Sequence, residues 1–392
     1  MKKRALLLSL LILLLCLSGV ALAEEEQPAD PASLLLGGQT LTGEERELDL
    51  SGIAPEEVAA WSDALAGFPH LEEVYLDAAE GGSPWTLEAA GQLVIRYPDL
   101  LVHYTTTAFG VTFSLTDEVV SFNHIDLSDK VEELERLLPY MAHVGRLDME
   151  YCDIPDEQMA ALREAYPSPK IVWRVFVKGI YHCRTDAIMA RFSFNADMNR
   201  LYDTDTHPLI YCNEMKYLDL GHDKITDAYF TAYMPDLEVC IMYNPMSNIN
   251  GIEQCPKLEF FECYSCGLKD LSPLSACTEL KHLNVCYNNL TDISPLYGLT
   301  KLERLWIARN NIPADQIEHF KELVPGCEIN TTTHNPTRGG WRYFDEAFTQ
   351  ITPRYALLRE QFQYDHTNLR SYGDGWWDDG KVHTGPLPGP EA

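Results

Sequence analysis

The chain has 392 residues and a formal net charge of −29. That charge argues against nucleic acid and anionic lipid as partners, because phosphates are held by Lys and Arg. Acid is concentrated early: Glu24 to Glu80 holds fifteen Asp or Glu against the single base Arg46, the pattern of a solvated, solubilising face.

In chain order, Met1-Lys2-Lys3-Arg4 leads into an apolar run from Ala5 to Ala23, which ends Ala21-Leu22-Ala23 before Glu24. A basic start, an apolar middle and a small-residue exit predict a secretory signal cleaved after Ala23. The alternative is an uncleaved anchor helix, since the run approaches bilayer length. Cleavage removes three positive charges and takes the net charge from −29 to −32. No later stretch is apolar and long enough to cross a membrane, so the mature chain is expected to be secreted or held at the cell surface. Residues 24–37 form an acidic, proline-containing linker.

Residues 38–213 read as long, helix-backed, degenerate repeats. Aromatic or aliphatic residues followed by Pro recur at Phe68-Pro69, Tyr97-Pro98, Tyr166-Pro167 and Val324-Pro325, each ending an amphipathic stretch. The pattern predicts helices over Pro55–Ala66, Pro84–Tyr97, Asp129–Met141 and Pro155–Tyr166, with Ser83 and Ser128 as N-caps. Strands are predicted at Glu47–Leu50, Glu73–Leu76, His124–Leu127, Arg146–Met149 and Val172–Phe176. A longer echo links Gly110…Thr116-Asp117 to Gly179…Thr185-Asp186, 69 residues on, with a weaker copy at Gly38. Val177 to Asn213 reads as an irregular hairpin.

Residues 214–330 carry a shorter period. Segments of one pattern start at Met215, Leu237, Leu258, Leu280 and Leu302, a 22-residue spacing with one slip of a single residue. The pattern L-x-x-L-x-L-x-x-N/C-x-L is that of a leucine-rich repeat. Val144-x-x-Leu147-x-Met149-x-x-Cys152-x-Ile154 matches it too and ties the halves together. Asp270-Leu-Ser-Pro273-Leu and Asp292-Ile-Ser-Pro295-Leu predict single 3₁₀ turns on the backs, with Asn288 and Asn310 bonded inward to the backbone. The fold expected is an α/β leucine-rich repeat solenoid: a curved horseshoe with a parallel β-sheet on its concave face and α or 3₁₀ helices on its convex face. Pro313–Phe320 and Cys327–Ile329 add a last helix and strand. Residues 331–370 are rich in aromatics and read as a cap over the open end of the stack, with a helix over Pro353–Tyr364; 371–392 is a loose tail.

Ten cysteines remain after Cys16 is removed with the signal. Cys255, Cys263, Cys266 and Cys277 fall at inward template positions, where a thiol acts as a small apolar group. The one C-x-x-C, Cys263 to Cys266, is explained by repeat register before zinc or redox chemistry.

Strand alternation puts template positions 3, 5 and 7 on the face away from the core. Tyr217, Tyr243, Phe260, Tyr264, His282, Arg304 and Trp306 there, with Tyr287 and Arg309 following at the rim, form a candidate partner-binding face, since Tyr, Trp and Arg side by side are the composition of a contact hot spot. No catalytic, cofactor or metal set is found, and no cofactor is expected: the histidines lack ligand spacing, and Asp374–Gly380 lacks the alternation of a calcium loop. A different reading places an extracellular metal-dependent hydrolase site near Asp186, Asp197, Asp203, Asp205 and His207. A third is a structural envelope component without a dedicated ligand.

The 22-residue units with Asp-Ile-Ser-Pro-Leu backs resemble the internalin-like leucine-rich repeat proteins of Gram-positive bacteria, specifically over Met215–Ile312 and loosely over Gly38–Val177. The resemblance implies an exported, non-enzymatic scaffold that binds a protein or glycan on its concave face, as a monomer. The Pro-punctuated repeats are longer than the internalin type.

Overall fold

The computed structural model describes residues 35–36, 39–78, 82–178, 181–192, 200–362, 364 and 371–372. The predicted signal, most of the linker, Asp197 and the tail beyond Tyr372 lie outside them. Two compact units are distinguished: residues up to Val120 with Glu132–Gly145, and Ser121–Val131 with Arg146 onward. Among the described residues no helix is long and apolar enough to cross a membrane.

In the first unit a hairpin, β1 (Leu35–Leu36) and β2 (Gln39–Thr40), precedes three parallel strands, β3 (Glu47–Asp49), β4 (Glu73–Tyr75) and β5 (Leu101–His103). Their central residues Leu48, Val74 and Val102 lie in register and are buried, so each strand hides its apolar residue against its neighbour's. Helices α1 (Val58–Ala64) and α2 (Leu87–Arg96) alternate with them. Helix α2 begins after Thr86, whose hydroxyl accepts from the Ala89 amide; Ser83, the expected cap, instead receives the Trp85 amide and bonds the Leu76 carbonyl. The helix therefore starts three residues later than Pro84. Strands β6 (Thr105–Ala108) and β7 (Val111–Ser114) form an antiparallel hairpin turned at Gly110, whose φ is +84°. Then come β8 (Val119–Ser121) and α3 (Val131–Leu137).

In the second unit β9 (Arg146–Asp148) pairs in parallel with β10 (Lys170–Val172), with α4 (Asp156–Ala165) between them in sequence. A second hairpin follows, β11 (Arg174–Lys178) and β12 (Tyr181–Arg184), joined on β12 by the short β20 (Ser371–Tyr372). The 69-residue echo in the sequence is thus a repeated module: α2, β5, β6 and β7 reappear as α4, β10, β11 and β12. His124–Leu127, expected as a strand, is a turn with His124 in the left-handed region at φ 61°; β8 lies just before it. The expected strand Val172–Phe176 straddles the break between β10 and β11 at Trp173.

Seven parallel strands complete this unit: β13 (Met189–Arg191), β14 (Tyr217–Asp219), β15 (Val239–Ile241), β16 (Phe260–Glu262), β17 (His282–Asn284), β18 (Arg304–Trp306) and β19 (Glu328–Asn330). Leu218, Cys240, Phe261, Leu283 and Leu305 stack in register, all with no exposed surface. Each such buried leucine is worth about 1.5–3 kcal/mol, obtained only when the next repeat covers it. The backs include 3₁₀ turns at Ile252–Gln254, Ser272–Ala276 and Ser294–Leu296, where Pro273 and Pro295 stand in the first turn, whose amides have no acceptor within the turn, and their fixed φ favours starting it. Helices α5 (Ala314–Leu323) and α6 (Pro353–Gln361) follow.

A ladder of polar side chains joins the turns after the strands. Asn288 accepts the amides of Cys266, Gly267 and Leu268 and donates to the Cys263 and Val285 carbonyls. Asn310 and Asn244 do the same one repeat after and two before, and the Cys266 thiol donates to the Met242 carbonyl. The residue just ahead of the ladder is left-handed at His222, Ser265, Tyr287 and Arg309, with φ between 54° and 68°. The repeat from Leu237 has no such residue, and its ladder asparagine, Asn244, comes one position early. That missing left-handed residue is the single-residue slip in the period.

Candidate functional site

From β13 to β18 both faces of the sheet are largely buried, the second by the chain itself, while β19 is half-exposed. Residues 331–364, read from the sequence as an end cap, make their contacts across the face opposite the core. Tyr287 donates its hydroxyl to the His334 carbonyl at 2.6 Å and Asn284 its amide to that of Pro336 at 2.8 Å. The Trp341 ring sits 5.3 Å from Phe260 and 5.5 Å from Trp306, and the Arg304 guanidinium stacks on it at 4.4 Å. Further along, Arg354 lies over Phe260, Phe362 meets Tyr217 edge-on, and the Tyr364 hydroxyl donates to Asp219. Gly339 and Gly340, at φ 66° and 108°, turn the backbone beside Trp306, where an added side chain would meet the indole at about 4 Å.

The centre of this contact is Glu262, with no exposed surface. Its carboxylate accepts the Trp341 indole N–H at 2.5 Å and is paired by the Arg342 guanidinium through both oxygens. A buried carboxylate needs such a partner, and the two-point guanidinium geometry supplies it. The Glu262 charge in turn holds the Arg342 guanidinium well above its ordinary pKa despite burial. Burial, with Arg304 and Arg354 nearby, pushes the His282 imidazole down to about 3, so it stays neutral under the segment.

Position 5 of the template repeats this device. Asp219 takes Tyr364, and Asp148 takes Arg184 of β12 at 3.1 Å. Around Asp148 the network widens through Arg184 to Glu150 and Asp186, and Glu150 also takes Arg174; Glu150 and Arg174 are buried and Asp186 half-buried. Position 5 is therefore the row on which covering segments seat.

Of the nine residues expected to form the binding face, Phe260, Trp306 and Tyr264 are buried at 2%, 0% and 8% exposure. Tyr217, His282 and Arg304 are half-buried against the segment. Tyr243 and Tyr287 are half-buried and Arg309 exposed; they lie along the edge where the segment's His334 meets the sheet, its carbonyl accepting from Tyr287 and its ring bonded to the Arg309 guanidinium. There Tyr243 stacks on Tyr264 at 4.7 Å and His222 meets Tyr243 edge-on at 4.7 Å. A cavity of about 420 Å³ opens between His222, Tyr243, Tyr264 and Tyr287 on one side and His334–Thr337 on the other. Sequence reasoning missed His222, Glu262, Trp341 and Arg342. The strand alternation does put Glu262 on the outward row, but no local signal marks its partners, 79 and 80 residues away.

The alternative site near Asp186 is not brought together. Asp186 pairs with Arg184, Asp203 accepts from Thr226 and the Asp227 amide, Asp205 pairs with Lys178, and His207 contacts the Tyr229 hydroxyl. Among the described residues no group of three or more His, Cys, Asp or Glu is placed to hold a metal ion. The described cysteines are unpaired, and all but Cys327 are buried.

Residues 278–322 match the family model described as Leucine Rich repeats (2 copies). None of the curated proteins matches the chain. Among solved structures it is similar to internalin C2 of Listeria monocytogenes, with 21% identity and a TM-score of 0.32, covering 38% of this chain and 66% of that one. A second internalin of that organism has 17% identity and a TM-score of 0.33, covering 74% and 68%. A leucine-rich repeat protein of Leptospira interrogans has 16% identity and a TM-score of 0.34, covering 69% and 74%. With the repeat match lying inside seven stacked parallel strands, this part of the chain is a leucine-rich repeat stack of α/β class.

Proposed function

We propose that the chain is an exported, non-enzymatic scaffold that binds a protein partner along the aromatic edge of its strand stack. The observation that carries this reading is the cavity of about 420 Å³ lined by exposed His222, half-buried Tyr243 and Tyr287 and the segment's His334, on a face that the chain's own segment otherwise covers. Stacked repeats serve to display an extended surface, and Tyr with Arg is the composition that dominates contact energies. In this reading Tyr217, Phe260, Tyr264, His282, Arg304 and Trp306 shape the surface from beneath. The formal charge of −29 steers a basic partner toward it. The basic, apolar and small-residue start of the sequence supports export.

The test compares the full wild-type chain with Tyr243→Ala and Tyr287→Ala as baits in its native surroundings. A partner bound through this edge is captured by wild type and weakened about tenfold or more by Tyr243→Ala, the loss expected for a hot-spot aromatic. Equal capture by all three baits removes the edge from the proposal, and capture of an oligosaccharide in place of protein overturns the partner class.

A further inference from the structure

One rung of the ladder differs in kind. In the repeat from Met215 the ladder residue is Asp223, one position after left-handed His222. Its Oδ1 accepts the Leu201 amide at 2.9 Å, as the asparagine oxygens accept amides of the preceding turn. In Asn244, Asn288 and Asn310 the second atom is an NH₂ donating to a carbonyl of the preceding repeat. Where a cysteine holds the rung, its thiol donates in the same way. Asp223 puts Oδ2 in that place, and this oxygen is buried with no hydrogen-bond partner. An ionised carboxylate has nothing to donate, whereas the neutral acid carries an O–H, the kind of donor that the asparagine and cysteine rungs supply at this position.

We propose that Asp223 is held as the neutral acid and serves as the donor of its rung, making the turn at His222 a pH-sensitive joint in the stack. Burial raises the carboxyl to about 7 against the opposing hydrogen bond from the Leu201 amide, and Asp219 adds to the rise. Arg200 and Lys178 oppose it, but Lys178 is itself engaged by Asp205 and the Arg200 carbonyl. Lys224 is exposed, and His222 is held below its usual pKa, chiefly by burial, so neither supplies a compensating buried charge. The joint carries more than itself: the Lys224 amide donates to the Leu201 carbonyl, and the Asp223 amide donates to Asn244 in the next rung.

The direction follows from linkage. Folding favours the neutral acid, so stability is greatest below the unfolded carboxyl range and falls as pH rises to about 7, where the native group ionises. Ionisation loosens the turn that presents His222 to Tyr243. The consequence for recognition rests on the edge strip being the contact surface; the joint itself does not.

The experiment is amide hydrogen exchange on the full chain at about pH 6 and about pH 8, with rates normalised to the unfolded amide. For a group titrating near 7 the ionised fraction rises about tenfold over that interval, so protection at Leu201 and Lys224 drops by up to about tenfold. Asp223→Asn, which supplies the missing donor, abolishes that pH dependence and matches or exceeds wild-type protection at the higher pH. A carboxyl carbon titration of Asp223 in the wild-type chain gives a midpoint near 7 independently of any variant. A midpoint in the ordinary carboxylate range, or an unchanged pH dependence in Asp223→Asn, overturns the proposal. Loss of partner capture by Tyr243→Ala with no exchange effect leaves the edge reading intact while refuting the joint.

Discussion

Removing Arg342 isolates the charge at the centre of the covered face. In Arg342→Met the Glu262 carboxylate, with no exposed surface, keeps only the Trp341 indole as donor. Breaking a buried ion pair from one side typically costs about 3–5 kcal/mol, because the remaining charge is stranded. Arg342 is itself mostly buried, with its side chain 18% exposed, so solvent screening discounts this little. Glu262→Gln/Arg342→Met removes the charge along with its partner and recovers much of the loss, since an amide in that place strands no charge. The coupling between the two positions therefore falls in the upper part of the range of about 0.5–3 kcal/mol seen for residues in contact. Urea unfolding followed by tryptophan fluorescence measures all four chains of the cycle. A cost below about 1 kcal/mol for Arg342→Met, or strict additivity of the two changes, refutes the reasoning, for then the segment does not seat on Glu262.

Three further outcomes are expected. Asn288→Ala leaves three amides and two carbonyls without their shared partner, so it lowers stability by about 3 kcal/mol or more, readable as a shift in urea midpoint. Gly91→Ala puts a methyl 2.2 Å from the Tyr140 ring, and the overpacking costs about 1–3 kcal/mol in the first unit, checked by calorimetry of the variant. Thiol-reagent titration of the native chain labels Cys327 first among the described cysteines, and slowly, because partial burial pushes its thiol up to about 12; the others react only on unfolding.

What could be read from the residues alone was whatever repeats locally. The inward rows, the proline-containing backs and the Asn288 and Asn310 ladder follow from a period that each turn imposes on itself. The β6–β7 hairpin was visible only as one end of the Gly110 and Gly179 echo, because Phe109-Gly110 is not one of the usual two-residue turn pairs, whereas the β11–β12 hairpin overlaps the start of the stretch from Val177 that reads as an irregular hairpin. His124–Leu127 resembled a strand by composition, but a left-handed residue at its start turns it into the exit of one. The seat of the C-terminal segment was not readable, since it depends on Glu262 meeting Trp341 and Arg342 across a long stretch of chain. Aromatic content alone does not distinguish a cover for the last repeat from a cover for the face. For the same reason the outward residues looked like a uniform binding surface, while burial divides them into supports such as Trp306 and a half-buried edge at Tyr243 and Tyr287.

Hydroxyl-radical footprinting of the native chain tests the covered face most directly. Phe260, Trp306 and Trp341, at 2%, 0% and 2% exposure, should resist oxidation, while Tyr151 and Phe348, at 43% and 48%, are modified readily. Oxidation of Phe260 and Trp306 at the rate of Tyr151 would contradict the seating of residues 331–364 on the strands.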